Sequence, residues 1–355
     1  MKDNLDYLIQ RVGNSRKKKI YDEDTGWEKV RKRSLRREKH RTYLKMSGYA
    51  ACTLITLGVI LFMTNTSTPK KENVFVQEVM PQQSNIAKVE LILANGKNIN
   101  LEQINNLHEE ELGISIIRDS INNQLTYQSS EIQKETTEIR YNRLVVPKGA
   151  DFSFKLPDSS VVTVNSESIL WFPIQFATDN RTVYLEGEAY FDVSKNENAP
   201  FKVITGDRTI TVLGTKFNVC SYLDDPNWST TLVEGKVSIS NGDTHCVLKP
   251  SEQYIVDNRT GKAEVKHVNV ELYTSWLNGK LHFKDYRLED IIRKLERWYD
   301  FTIIYQEEEI KDMKFRGVID KDRSLKETLH LLEETKTISF EIKGNIICVC
   351  KKEIQ

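Results

Sequence analysis

The stretch RTVYLEGEAYFDV, residues 181–193, sets two carboxylates, Glu186 and Glu188, around Gly187 in an apolar and aromatic run. On an extended strand, residues two apart project from one face, roughly 7 Å apart. That spacing suits a pair of acids working on a glycosidic bond. The flanking Val183, Leu185, Ala189 and Phe191 instead read as one strand, with Gly187 at a bulge or a close backbone approach. No second acid cluster and no aromatic sugar platform stands nearby in the sequence. The two glutamates are therefore expected on a solvated strand face, or paired with basic residues such as Arg181 or Lys202.

Other catalytic signatures are missing. The chain has no Walker loop, no GxGxxG opening a helix, no GxSxG and no HExxH, and its six histidines are scattered. Among five cysteines there is no CxxC and no Cys/His ligand set. Cys348 and Cys350, at i and i+2, share a strand face but are poorly placed to bond each other. A Cys220–Cys246 disulfide and buried free thiols are both open. The expectation is a non-enzyme with no metal and no cofactor.

The elements around these residues change character along the chain. Residues 1–45 hold fifteen Lys/Arg against seven Asp/Glu, residues 46–64 hold no charge, and residues 65–355 hold thirty-six against forty-four. The formal net charge of zero hides this split. The uncharged stretch MSGYAACTLITLGVILFMT has nineteen residues. As a helix it is roughly 28 Å long, close to the hydrocarbon thickness of a bilayer. Its basic flank, RKRSLRREKHRTYLK, predicts a single span with a cytoplasmic N-terminus. Residues 1–45 read as short basic helices, with Thr25 and Glu28 spaced as a capping box. They carry too little apolar surface for a core of their own. Residues 65–85 read as a linker.

Residues 86–268 read as all-β: period-two runs with turns every 8–12 residues predict a sandwich, a jelly roll or an irregular solenoid. AKVELILANGKNINL and ADFSFKLPDSSVVTVNSES look like two versions of one hairpin. The pattern changes over 274–353. RLEDIIRKLERWYDF repeats apolar residues at helical spacing, and Ser324 and Glu327 open a second helix as a capping box. The predicted order is β-α-β-β-α-β-β, a small α+β module. The whole is a mixed, multidomain chain.

Four runs, LPDSSVVTVNSESILWFPIQF, RTVYLEGEAYFDVSKNENAPFKV, ITVLGTKFNVCSY and TTLVEGKVSIS, resemble the FecR family of periplasmic sensors and anti-sigma factors. The module beginning SWLNGKLHFKDYRLEDII is similar to the secretin/TonB short N-terminal domain found at the end of transporter-linked members. The family's LPDGT is Leu156-Pro157-Asp158-Ser159-Ser160 here, without its turn glycine, PKGA replaces a PRGG-like entry, and the tail is shorter than usual. The resemblance implies an inner-membrane, single-pass protein with its C-terminal domains in the periplasm. It implies two partners, an extracytoplasmic-function sigma factor and the signalling domain of an outer-membrane TonB-dependent transporter, with no direct contact to nucleic acid. GWEKVRKR sits where the family has a tryptophan-containing segment, which makes Trp27, Val30 and Arg33 the expected sigma-factor contacts. Some relatives cleave themselves at a Gly-Thr bond, and Gly214–Thr215 occupies the matching motif; a glycine turn entering a β-branched strand is the plainer reading. Under the resemblance, Glu186 and Glu188 serve the fold or a partner. A competing expectation is a glycan- or cell-wall-binding protein with an aromatic-lined groove; Trp171, Phe172 and Tyr190 are the candidates for it, with core packing the favoured place for all three.

Overall fold

The computed structural model describes residues 88–101, 106–109, 113–119, 124–129, 139–242 and 244–352. The expected basic tail, membrane span and linker, with Trp27, Val30 and Arg33, lie outside them. Among the described residues no helix is long and apolar enough to cross a membrane. All of them fall in one unit of the chain, Val79–Gln355.

The β-rich part weaves between two sheets. β1 (Glu90–Ile92) and β2 (Asn98–Asn100) form a hairpin in the first sheet. β3 (Asn106–Glu109), β4 (Ile114–Asp119) and β5 (Gln124–Ser129) form a meander in the second. β6 (Tyr141–Val146) returns to the first sheet, β7 (Phe152–Lys155) and β8 (Val161–Val164) form a hairpin in the second, and β9 (Ser168–Pro173) returns again. β10 (Arg181–Asp192) belongs to both sheets. Hairpins then alternate. β11 (Phe201–Thr205) with β12 (Arg208–Val212), and β15 (Val237–Asn241) with β16 (Thr244–Leu248), extend the first sheet. β13 (Lys216–Ser221) with β14 (Asn227–Glu234), and β17 (Glu252–Asp257) with β18 (Ala263–His267), extend the second.

The strand orders are therefore 2-1-6-9-10-11-12-15-16 and 3-4-5-7-8-10-13-14-17-18. Of the architectures expected from the sequence, this is the irregular solenoid, with hairpins for rungs. Alternating side chains from both sheets meet in one apolar cluster that includes Leu144, Leu170, Val203, Phe154, Phe191 and Phe217. Phe191 and Phe217 stack with centroids 5.1 Å apart. Each such ring contributes roughly 1.5–3 kcal/mol by leaving water.

Among the described residues of this part, one ion pair is enclosed. The Arg181 guanidinium, 2% exposed, meets Asp158 at 2.7 Å and donates to the carbonyls of Ala199 and Ser194. Asp158 also accepts from the backbone N–H and hydroxyl of Ser160, which shapes the LPDSS turn. Ser159, where the resemblance expects glycine, takes the left-handed conformation at φ +69°.

The C-terminal module follows a short helix, α1 (Glu271–Thr274), and a 3-10 turn, Ser275–Asn278. Its elements are β19 (Lys280–Arg287), α2 (Leu288–Trp298), β20 (Thr302–Tyr305), β21 (Lys314–Asp320), α3 (Leu325–Glu333), β22 (Ile338–Lys343) and β23 (Ile346–Lys351), an order of β-α-β-β-α-β-β. β19 pairs with β21, and β23 lies between β20 and β22. α2 buries Leu288, Ile291, Ile292 and Leu295, one stripe at helical spacing. Glu289 and Asp290 in its first turn and Arg297 in its last suit the helix dipole. α3 opens with the capping box expected of Ser324 and Glu327. The module has its own apolar cluster, separate from that of the solenoid.

Candidate functional site

Glu186 and Glu188 sit on the outward-pointing register of β10, where inward and outward residues alternate. The strand changes sheets between them. Glu186 pairs with Ile169 of β9 in the first sheet, while Gly187 and Glu188 pair with Ser221 and Cys220 of β13 in the second. Glu186 is exposed; Glu188 is only 5% exposed, because the C-terminal module lies over this part of the second sheet. The expectation of a solvated or Arg/Lys-paired carboxylate holds for neither oxygen of Glu188. Its Oε2 accepts from Asn165 Nδ2 at 2.8 Å and its Oε1 from Asn218 Nδ2 at 2.9 Å. Arg181 is committed to Asp158 instead.

A cleft of about 280 Å³ opens between the two modules. Glu188, Asn218, Cys220, Tyr222 and Asp225 line it from the solenoid, and Trp276, Tyr286, Arg293, Lys294 and Arg297 from the other side. Arg297 Nη2 lies 2.9 Å from both Asp224 and Asp225, and its guanidinium carbon sits 3.8 Å from the centroid of the Tyr222 ring. Burial alone would lower the Arg297 pKa; Asp225 and Asp224 overcome this and hold it above its ordinary value. Lys294 behaves alike: burial works to lower its pKa, and Glu188 leads the groups that raise it. Burial pushes the Cys220 thiol and the Tyr222 phenol well up, with Glu188 adding to both, so both are neutral at pH 7. Trp276 Nε1 donates to Asn218 Oδ1 at 3.2 Å, and Asn218 donates on to Glu188. The Cys220 thiol also donates to Asp225 Oδ2 at 3.6 Å, so the cleft brings charged side chains of both modules together with a neutral thiol and a neutral phenol.

The same two parts of the chain match known families in the same order. The family described as "FecR protein" matches residues 142–238, and that described as "FecR, C-terminal" matches 280–349. A crystal structure of a "putative anti-sigma factor" from Parabacteroides distasonis ATCC 8503 is 31% identical, over 59% of this chain and 99% of that one, with a TM-score of 0.56. The chain belongs to the FecR family. A second crystal structure of the same description matches at 30% identity, over 60% of this chain and all of that one, again with a TM-score of 0.56. No curated protein matches the chain.

Within this FecR chain, Gly214–Thr215 lies at the entry to β13. Thr215 is buried; its Oγ1 donates to the Lys236 carbonyl at 3.0 Å and accepts from the Lys236 N–H at 3.4 Å. The hydroxyl is thus engaged across the turn. The proposed aromatic groove is not assembled. Phe172 is a core residue packed on Tyr127 and Phe154, Trp171 points from the other side of β9, and Tyr190 lies on the second-sheet half of β10. Cys220 and Cys246 are free thiols on strands of different sheets, and Cys348 and Cys350 are free as well. Among the described residues no group of three or more His, Cys, Asp or Glu side chains is placed to hold a metal ion.

Sequence reasoning did not single out Asp224, Asp225, Lys294 or Arg297. Arg297 carried one signal: it is a charged residue in the last turn of a helix, which reads as dipole compensation. Its aspartate partners are more than seventy positions away in the chain, so no local pattern announces them.

Proposed function

We propose that this protein is a single-pass inner-membrane sensor and anti-sigma factor. In this reading the N-terminal tail holds an extracytoplasmic-function sigma factor through Trp27, Val30 and Arg33. The C-terminal module receives the signalling domain of an outer-membrane TonB-dependent transporter. One observation carries the reading: the two FecR matches occur in order, and the 31% identical anti-sigma relative is covered over 99% of its length. The charge split around residues 46–64 supports the orientation. Family membership favours a regulatory role over an enzymatic one.

The test is co-purification of the full chain, in detergent, with a tagged sigma factor encoded beside it. Association that is lost on Trp27→Ala supports the reading. No association, or association indifferent to Trp27, Val30 and Arg33 substitutions, would remove sigma-factor regulation by this tail.

A further inference from the structure

The two modules meet through polar groups. Among the described residues, their contacts include Arg297 with Asp224 and Asp225, Trp276 with Asn218, the Gly149 N–H on the Arg297 carbonyl at 2.9 Å, and Lys321 with Asp151. The two apolar clusters do not merge, and buried Trp276 belongs to neither. A joint of this kind separates far more readily than an apolar one, because water and ions replace what it loses.

The cleft also holds an incomplete pair. Asp225 is matched by Arg297 and, at 4.0 Å, by Arg293; Arg293 is matched by Asp290 at 3.1 Å. Lys294 makes no hydrogen bond or ion pair within 4.0 Å among the described residues, and Glu188 is held only by neutral amides. The two face each other across the cleft, one from each module. The hydrogen-bond chain Trp276–Asn218–Glu188 ties the root of the C-terminal module to the point where β10 changes sheets.

We infer that the solenoid face formed by Asp224, Asp225, Asn218 and Glu188 is a reversible docking surface for the chain's own C-terminal module, with Arg297 as its latch. Release swings the module off Glu188 and breaks the Trp276–Asn218 bond, so an event at the module reaches the solenoid. As a signalling device this rests on the sensor reading above; as a physical joint it stands on its own.

The test is hydrogen exchange on the full chain in detergent, at low salt and at about 1 M salt, where charges are screened within about 3 Å. Arg297→Gln is compared with Asp224→Asn, whose side chain is 71% exposed and whose loss cannot hollow a core. High salt and both substitutions are expected to speed exchange in 222–226 and 272–279 at least about tenfold, leaving 201–212 and 325–333 unchanged. Unchanged exchange at 222–226 and 272–279 overturns the inference. So does equal acceleration in 201–212 and 325–333, since the modules would then be one cooperative body. Sigma-factor binding is scored on the same preparations. A rigid joint with sigma factor bound removes the latch alone, and a mobile joint without sigma factor removes the sensor reading alone.

Discussion

Gly187 and Ser168 approach so closely that a Cβ built on Gly187 would stand 2.3 Å from the Ser168 hydroxyl oxygen and 2.8 Å from its Cα. Gly187 takes φ +98°, and the next N–H, that of Glu188, donates to the same hydroxyl at 2.9 Å. This is the point at which β10 leaves one sheet for the other. Gly187→Ala is therefore expected to cost roughly 2–4 kcal/mol, adding backbone strain to a clash with backbone. Thermal or urea unfolding measures it, and a loss below about 0.5 kcal/mol would contradict the packing described.

Thr215 spends its hydroxyl on Lys236, next to Gly235, which takes φ +94° and leaves no room for a Cβ beside Thr215 Oγ1. Thr215→Ala should lose about 1–2 kcal/mol of stability. Both forms should run as one intact chain on a denaturing gel. A cleaved wild type beside an intact variant would instead give that hydroxyl a part in breaking the Gly214–Thr215 bond.

Glu327 closes the capping box of α3 by accepting from the Ser324 hydroxyl and backbone N–H, each at 2.8 Å. The Ser324 side chain, then its backbone, hold the Glu327 carboxyl below its ordinary value of 4.5. A lowered folded-state pKa means that the stabilisation is complete above 4.5 and is lost as pH falls through the folded value. Protection from exchange at the start of α3, relative to the intrinsic rate at each pH, should fall over that acid range in the wild type and show no such step in Glu327→Gln. An identical pH response in both would exclude Glu327 as the titrating group.

Much of this was legible because it is periodic or local. The stripe Leu288, Ile291, Ile292, Leu295 announces α2, and Ser324 with Glu327 announces the start of α3. Val183, Leu185, Ala189 and Phe191 mark the inward face of β10, as alternation requires. What escaped depends on contacts between distant segments. Glu186 and Glu188 look equivalent in the sequence, and only the module packed over β10 makes one of them buried. Arg297 looks like any basic residue ending a helix until Asp224, Asp225 and the Tyr222 ring are found around it. Ser159 stands where the resemblance expects a turn glycine, but serine itself does not favour a positive φ; the turn is enforced by Asp158 and the Leu156–Ser160 hydrogen bond.

The alternation of hairpins between two sheets also sets an order of assembly. Neighbours within each sheet are near neighbours in the chain: β13 joins β10, β15 joins β12, and β17 joins β14. A chain emerging from synthesis N-terminus first can close each of these rungs on one already laid down, with little loop-closure entropy to overcome. The first hairpin is the exception. Its strand β1 gains its second neighbour only when β6 has been made and Glu90 meets Val145, a longer wait than any of these later rungs requires.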